Sequence, residues 1–183
     1  MSRQNVERIG LLQLMVPELF AEPGTVLYVG AYARRFAGSK PLYQTGHEIT
    51  VLEVWPEFLE GLKASRFNQR VAHYVEGDVI EVDQLELPHR VFDYTIWLHG
   101  PEHIGIEHFV PTVRKLEKLT KHIIVLGCPW GWAPHGIAYD NPHTQHKSYY
   151  YAEHFQRLGY RTAAIGPRDK LGSHLLGWKI KRT

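Results

Sequence analysis

The chain has 183 residues, 44% of them hydrophobic and 22% charged, with a formal net charge of +2. That is the profile of one soluble domain large enough to bury a core, and the charge gives no argument for nucleic acid. A single cysteine, Cys128, excludes an internal disulfide and a cysteine-cage metal site.

Residues 4–20 look helical, with an imperfect apolar stripe of Val6, Ile9, Leu12, Leu14 and Met15 that Pro17 interrupts. Such a helix either packs on the sheet as an N-terminal extension or covers a ligand site. It lacks the compact apolar core and cleavage site of a signal peptide. No apolar run approaches the roughly 18 residues of a membrane span. A cytoplasmic protein without a membrane partner is expected.

Residues 25–30, TVLYVG, read as a buried first strand running into a glycine turn, with Pro23-Gly24 as the start signal. EITVLEV, residues 48–54, reads as strand two, and Pro56 opens a helix whose apolar face is Phe58, Leu59 and Leu62. Residues 70–75 form strand three and residues 91–98 strand four. A helix over 103–119 buries Ile106, Phe109, Val110, Val113, Leu116 and Leu119. Residues 122–126 are strand five. A loop over 127–147, rich in Gly, Pro, His and aromatics, follows, and loops of that length in a compact domain are usually functional. Ser148 is placed as the cap of a helix reaching Leu158. Residues 160–165 and 173–181 make a closing strand pair, joined by too short a link for a crossover helix and therefore antiparallel. Strands alternating with helices imply a parallel, doubly wound α/β sheet in a single domain.

Ligands in such sheets bind beyond the carboxyl ends of the strands. Gly30 ends strand one. Glu53 ends strand two, 23 residues after Gly30, where an acid can accept from ribose hydroxyls. Asp78 follows strand three, where a carboxylate can accept from a base amine. His99, Glu102 and His103 follow strand four. Any one of these acids is equally well an exposed loop residue; their joint placement carries the argument.

In that order, VLYVG, TVLEV and VEGDV resemble the class I S-adenosylmethionine-dependent methyltransferases. FDYTIWLHGPEHI resembles the fourth strand and following Glu-His pair of that family, and NPHTQHKSYYYAEHFQRLGY a segment many members carry before the antiparallel pair. The resemblance implies a Rossmann-like seven-stranded sheet, ordered 3-2-1-4-5-7-6 with strand seven antiparallel. It implies S-adenosylmethionine as cofactor, held by Gly30, Ala31, Glu53, Val54, Asp78, Val79 and His99. Two features depart from the family pattern. Tyr28 stands where an acid is usual, and Ala31-Tyr32-Ala33-Arg34-Arg35 replaces the repeated glycines, so the glycine loop is degenerate. Arg34 and Arg35 are either a solvated helix start or a meeting point for an anionic group.

The expected function is methyl transfer to a small-molecule or saccharide acceptor, in which the protein mainly positions donor and acceptor. A hydroxyl acceptor needs a base, with His99, His103 and Glu102 as candidates. A degenerate member of the same fold, binding a nucleoside or a partner without catalysis, is the alternative. A dinucleotide enzyme ranks lower because GxGxxG is absent. Of the 12 histidines, His99, His103, His135, His143 and His146 all lie beyond strands four and five. Zinc needs three or four converging ligands. HExxH is absent, and no metal is assigned. His89, His122 and His174 have no context that singles them out. Trp130, Trp132, Tyr139 and Tyr149 to Tyr151 suit either a substrate pocket or packing of the loop on the sheet. Cys128 reads as a small buried residue.

Overall fold

A computed structural model describes residues 3–170 and 172–181, with side chains described except at 3–7 and 34–35. The described residues build one seven-stranded sheet. Its strands are β1 (Thr25–Val29), β2 (Glu48–Glu53), β3 (His73–Glu76), β4 (Phe92–Leu98), β5 (Thr120–Pro129), β6 (Arg161–Ile165) and β7 (His174–Ile180). They lie in the order β3-β2-β1-β4-β5-β7-β6. β1 to β5 run parallel, and β7 pairs antiparallel with both β5 and β6. This is the doubly wound order expected from the sequence.

Alternation along the strands sends side chains to two cores. One face carries Val26, Tyr28, Val51, Ile96 and Val125, with Ile9 and Leu12 of α1 (Arg3–Met15) packed in the same cluster. That N-terminal helix is therefore part of the core and not a lid. Short helices α2 (Ala33–Phe36) and α3 (Lys40–Gln44) add Phe36 and Leu42, and α4 (Pro56–Lys63) adds Leu59 and Leu62. The other face carries Leu27, Val29, Leu52, Trp97, Ile124 and Leu126. It is covered by Phe109, Val113 and Leu116 of α5 (Ile106–Leu119) and by Phe155 of α6 (Ala152–Gln156).

Four details differ from the sequence reading. β3 starts at His73, because 68–70 close a 3-10 turn. α5 starts at Ile106; residues 101–103 form a separate 3-10 turn, and Ile106 and Val110 are exposed. Ser148 caps no helix. It is buried, its hydroxyl donates to Ile104 O at 2.7 Å, and the helix waits until Ala152. β5 extends over Thr120–Pro129, so the long loop begins only at residue 130. The side chains of Arg34 and Arg35 lie outside the described residues.

Candidate active site

Parallel neighbours in register end at one level, and that puts the strand-end loops on one rim. Val29 pairs with Leu52 and with Trp97, and Glu53 pairs with Glu76. Gly30 N donates to Leu52 O at 2.8 Å and Gly77 N to Glu53 O at 3.1 Å, so each turn begins by leaning on the next strand. Above this rim opens a cavity of about 710 Å³. Gly30, Glu53, Val54, Asp78, Val79, His99 and His103 all line it.

Gly30 has φ +76, a region that disfavours side chains, and a Cβ built there meets nothing within 4 Å. The glycine serves the turn, and the space in front of it is open. Glu53 is 7% exposed, and its Oε1 accepts from Trp55 N at 2.9 Å. Asp78 Oδ1 accepts from Ile80 N at 2.9 Å, capping the 3-10 turn that follows. One oxygen of each carboxylate is thus fixed by backbone, which orients the side chain at the cavity wall.

The wall beside Gly30 differs. Ala31 is fully buried among the core residues and is not on the cavity wall. Tyr32 is on the wall, stacked on Phe58 with ring centroids 5.0 Å apart, and Tyr139 from the long loop approaches both rings at 6.1–6.3 Å. The sequence marks Tyr32 only as part of the altered loop after strand one, and Phe58 only as the apolar face of a helix; neither is singled out there as a wall residue.

After β4 the chain turns sharply. His99 takes φ +53, strained for a non-glycine residue, and its N–H donates to Gly127 O at 2.6 Å. A Cβ at Gly100 would stand 1.8 Å from the indole nitrogen of Trp97, so only glycine fits there. Glu102, 2% exposed, lies beneath the cavity wall, and its Oε1 is 3.0 Å from His99 Nδ1 and 3.8 Å from His103 Nε2. Since a carboxylate only accepts, His99 Nδ1 carries the proton of that bond.

The long loop meets this turn directly. Lys147 N and Ser148 N both donate to Glu102 O. The loop is pinned near its start by Asp169, whose Oδ1 accepts from Trp132 N at 2.6 Å and from the Tyr151 hydroxyl at 3.0 Å. Within it, Tyr139 and Asp140 have φ of +56 and +53 between the bridged Ala138 and Asn141, a tight reversal that faces Tyr139 to the cavity. The loop aromatics divide: Tyr150 is core, Trp130 packs against the core, Trp132 is exposed off the wall, and Tyr139 is exposed and on it.

His174, which the sequence left without context, lies at the start of β7 opposite Pro129 and lines the cavity. Its ring stands edge-on to His99 with centroids 5.3 Å apart. Burial, helped by the nearby Arg8 charge, pushes its pKa down to about 4, so the ring is neutral. Cys128 is fully enclosed, and burial holds its thiol well above the usual range, which removes it as a nucleophile.

No protein-family model matches the chain, and no curated protein sequence matches it. Solved structures match it by shape over nearly its whole length. A SAM-dependent methyltransferase from Archaeoglobus fulgidus is 15% identical at a TM-score of 0.58, covering 95% of this chain and 94% of the other. Magnesium protoporphyrin IX methyltransferase from Synechocystis, with bound SAM, is 16% identical at 0.65, covering 98% and 79%. The fold is that of the class I methyltransferases. A third match of this fold, the Burkholderia thailandensis 1,6-didemethyltoxoflavin-N1-methyltransferase, is 17% identical at a TM-score of 0.63, covering 99% and 79%. That structure contains bound 1,6-didemethyltoxoflavin and S-adenosylhomocysteine. Among the described residues, no helix is long and apolar enough to cross a membrane.

Proposed function

We propose that this protein transfers a methyl group from S-adenosylmethionine to a small-molecule acceptor. The observation that carries the reading is the pair Glu53 and Asp78. Each sits at the end of adjacent parallel strands, each is oriented by a backbone amide, and both face one cavity beside Gly30. Glu53 accepts from the ribose hydroxyls, and Asp78, with Val79 beside it, meets the adenine. The methyl end of the cofactor then points toward His99 and the long loop. The neighbours of this fold crystallised with SAM or S-adenosylhomocysteine support the cofactor, and the Burkholderia enzyme supports a small-molecule acceptor.

The acceptor lies between the aromatic wall of Tyr32, Phe58 and Tyr139 and the polar loop residues Asn141, His143 and Thr144. A hydroxyl-bearing ring, such as a saccharide, suits a wall that offers both stacking faces and hydrogen-bond groups. His103 is better exposed to the cavity than His99, whose Nε2 is buried, so His103 takes the base role for a hydroxyl acceptor. Glu102 and His99 position it.

Calorimetric titration with S-adenosylhomocysteine, S-adenosylmethionine and the nicotinamide dinucleotides tests the cofactor. The two adenosyl ligands bind and the dinucleotides do not. Glu53→Ala and Asp78→Ala each weaken S-adenosylhomocysteine about ten- to hundredfold, the value of a lost charged hydrogen-bond partner. Unchanged affinity in both variants, with the fold intact, rejects the assignment. Tyr32, occupying a loop position where the family has glycine, favours a second reading: the fold binds the nucleoside and does not turn over. Adenosyl binding without methyl transfer to any hydroxyl, amine or thiol acceptor in a broad panel supports that reading.

A further inference from the structure

Three histidines on the acceptor side of the cavity share one tautomer. His103 Nδ1 lies 3.2 Å from Gln145 O, His135 Nδ1 lies 2.7 Å from Gly136 O, and His146 Nδ1 bonds Ala133 O. A carbonyl only accepts, so in each ring Nδ1 carries the proton and donates it. In neutral rings the lone pair is then on Nε2. The rings cluster, with centroids 5.0 Å apart for His103 and His146 and 5.2 Å for His135 and His146.

The carboxylate of Glu102 faces the same point. It is 2% exposed, its Oε1 is 3.8 Å from His103 Nε2, and its Oε2 is buried without a hydrogen-bond partner among the described residues. Burying a carboxylate oxygen unpaired is costly. Ligand atoms of Glu102, His103 and His146 lie within 4.8 Å of one another. In a tetrahedral zinc site with bonds of about 2 Å the ligand atoms are about 3.3 Å apart, so the 3.8 Å between Glu102 and His103 and the wider pairs, all within 4.8 Å, close by at most about 1.5 Å around an ion. A metal-bound imidazole characteristically donates its other N–H to a carbonyl or carboxylate, which fixes ring and tautomer. All three rings here are already tied in that way.

We propose that Glu102, His103 and His146 bind a divalent first-row transition-metal ion, zinc by donor type, with the fourth position open toward the cavity. Mixed imidazole and carboxylate donors select such an ion over magnesium or calcium. The ligands come from two segments, the turn after β4 and the long loop, which Lys147 N and Ser148 N already join through Glu102 O. The ion therefore closes the loop onto the turn. Metal binding stands independently of the methyl-transfer reading; the role that follows rests on it. Beside the acceptor, the cation would orient an acceptor hydroxyl and lower its pKa; with its Nε2 lone pair on the ion His103 would give up the base role assigned above, and the proton would pass to solvent.

The rival occupant of the gap between Glu102 and His103 is a proton, as imidazolium. Calorimetry of untagged full-length protein, stripped with chelator and titrated with zinc sulfate in the absence of any methyl donor, separates the two. One equivalent of zinc binds. His146→Gln and Glu102→Gln each weaken it at least tenfold, a loss at least as large as that for an outer-shell partner. The control is His89→Ala, from the exposed cluster of Glu48, His73 and His89, and it leaves the binding unchanged. His146 lies on the loop outside the core, and circular dichroism with an unchanged thermal midpoint marks each variant as folded. Cobalt(II) substitution gives visible d–d absorption that His146→Gln abolishes. Absence of zinc binding, or binding lost in His89→Ala and kept in His146→Gln, overturns the proposal in favour of the proton.

Discussion

His99 and Gly100 show what single residues do at this site. The left-handed backbone of His99 is held by its N–H bond to Gly127 and by the Glu102 carboxylate, and it turns the chain from β4 into the cavity wall. Gly100 allows that turn because Trp97 fills the space a Cβ would need. Gly100→Ala should destabilise the protein by about 1–3 kcal/mol, the cost of overpacking a tight core, and denaturant melts read it directly. A midpoint equal to wild type would mean that Trp97 swings aside freely. Gly30→Val acts differently. Its positive φ adds strain of about 1–2 kcal/mol, small enough for the domain to stay folded, while the branched side chain enters the open space in front of β1. Adenosyl-ligand affinity should fall more than stability. Wild-type affinity in this variant would place the ligand elsewhere.

The long loop is the element that supplies one wall of the cavity. It is pinned by Asp169 near its start and by Glu102 at its end, with Thr144 and Asn141 stitching the middle through Ala138 and His143. Between those pins it is exposed at Trp132, Ile137 and Tyr139. Such a segment can open between its fixed ends and close over two substrates, excluding water. Hydrogen exchange should show residues 133–146 gaining protection when adenosyl ligand and acceptor are both present. Equal protection in free and liganded protein counts against a lid. Asp169→Ala removes the acceptor of Trp132 N and Tyr151 Oη, so exchange at the Trp132 amide should rise while the sheet amides stay protected.

Across the whole molecule, buried imidazoles tie stability to pH. His174 has a pKa of about 4 when folded because burial disfavours its charged form, against about 6.5 in the unfolded chain. As pH falls, the unfolded state takes up the proton first. The His174 contribution is therefore full above about pH 6.5 and lost as pH drops toward 4. The shift bounds the loss at about 3 kcal/mol. His47, buried between Leu19 O and Gly24 N, is shifted in the same direction by desolvation. Thermal melts from pH 7 to 4 should fall more steeply for wild type than for His174→Leu. Parallel curves would show that His174 is not the group responsible.

The strands themselves and the strand-end positions of the two acids were legible in the sequence because they depend on local pattern, whereas the order of the strands came from the resemblance to the class I methyltransferases. Apolar β-branched runs bounded by Gly and Pro, and an acid closing a strand, follow from the period of a strand and the rule that ligands meet its carboxyl end. Glu53 and Asp78 needed no knowledge of contacts beyond that. The tertiary structure alone decided the rest. Ser148 has the side chain of a cap, but its hydroxyl donates to Ile104 O, 44 residues earlier in the chain. His174 reached the cavity only because β7 runs antiparallel beside β5 and places it opposite Pro129. Tyr32, Phe58 and Tyr139 met as one wall from three separate segments. His103 and His146 converged because the loop bonds back to Glu102 O. Periodicity determines which face a residue shares with its near neighbours, but packing of distant segments decides which side chains finally touch.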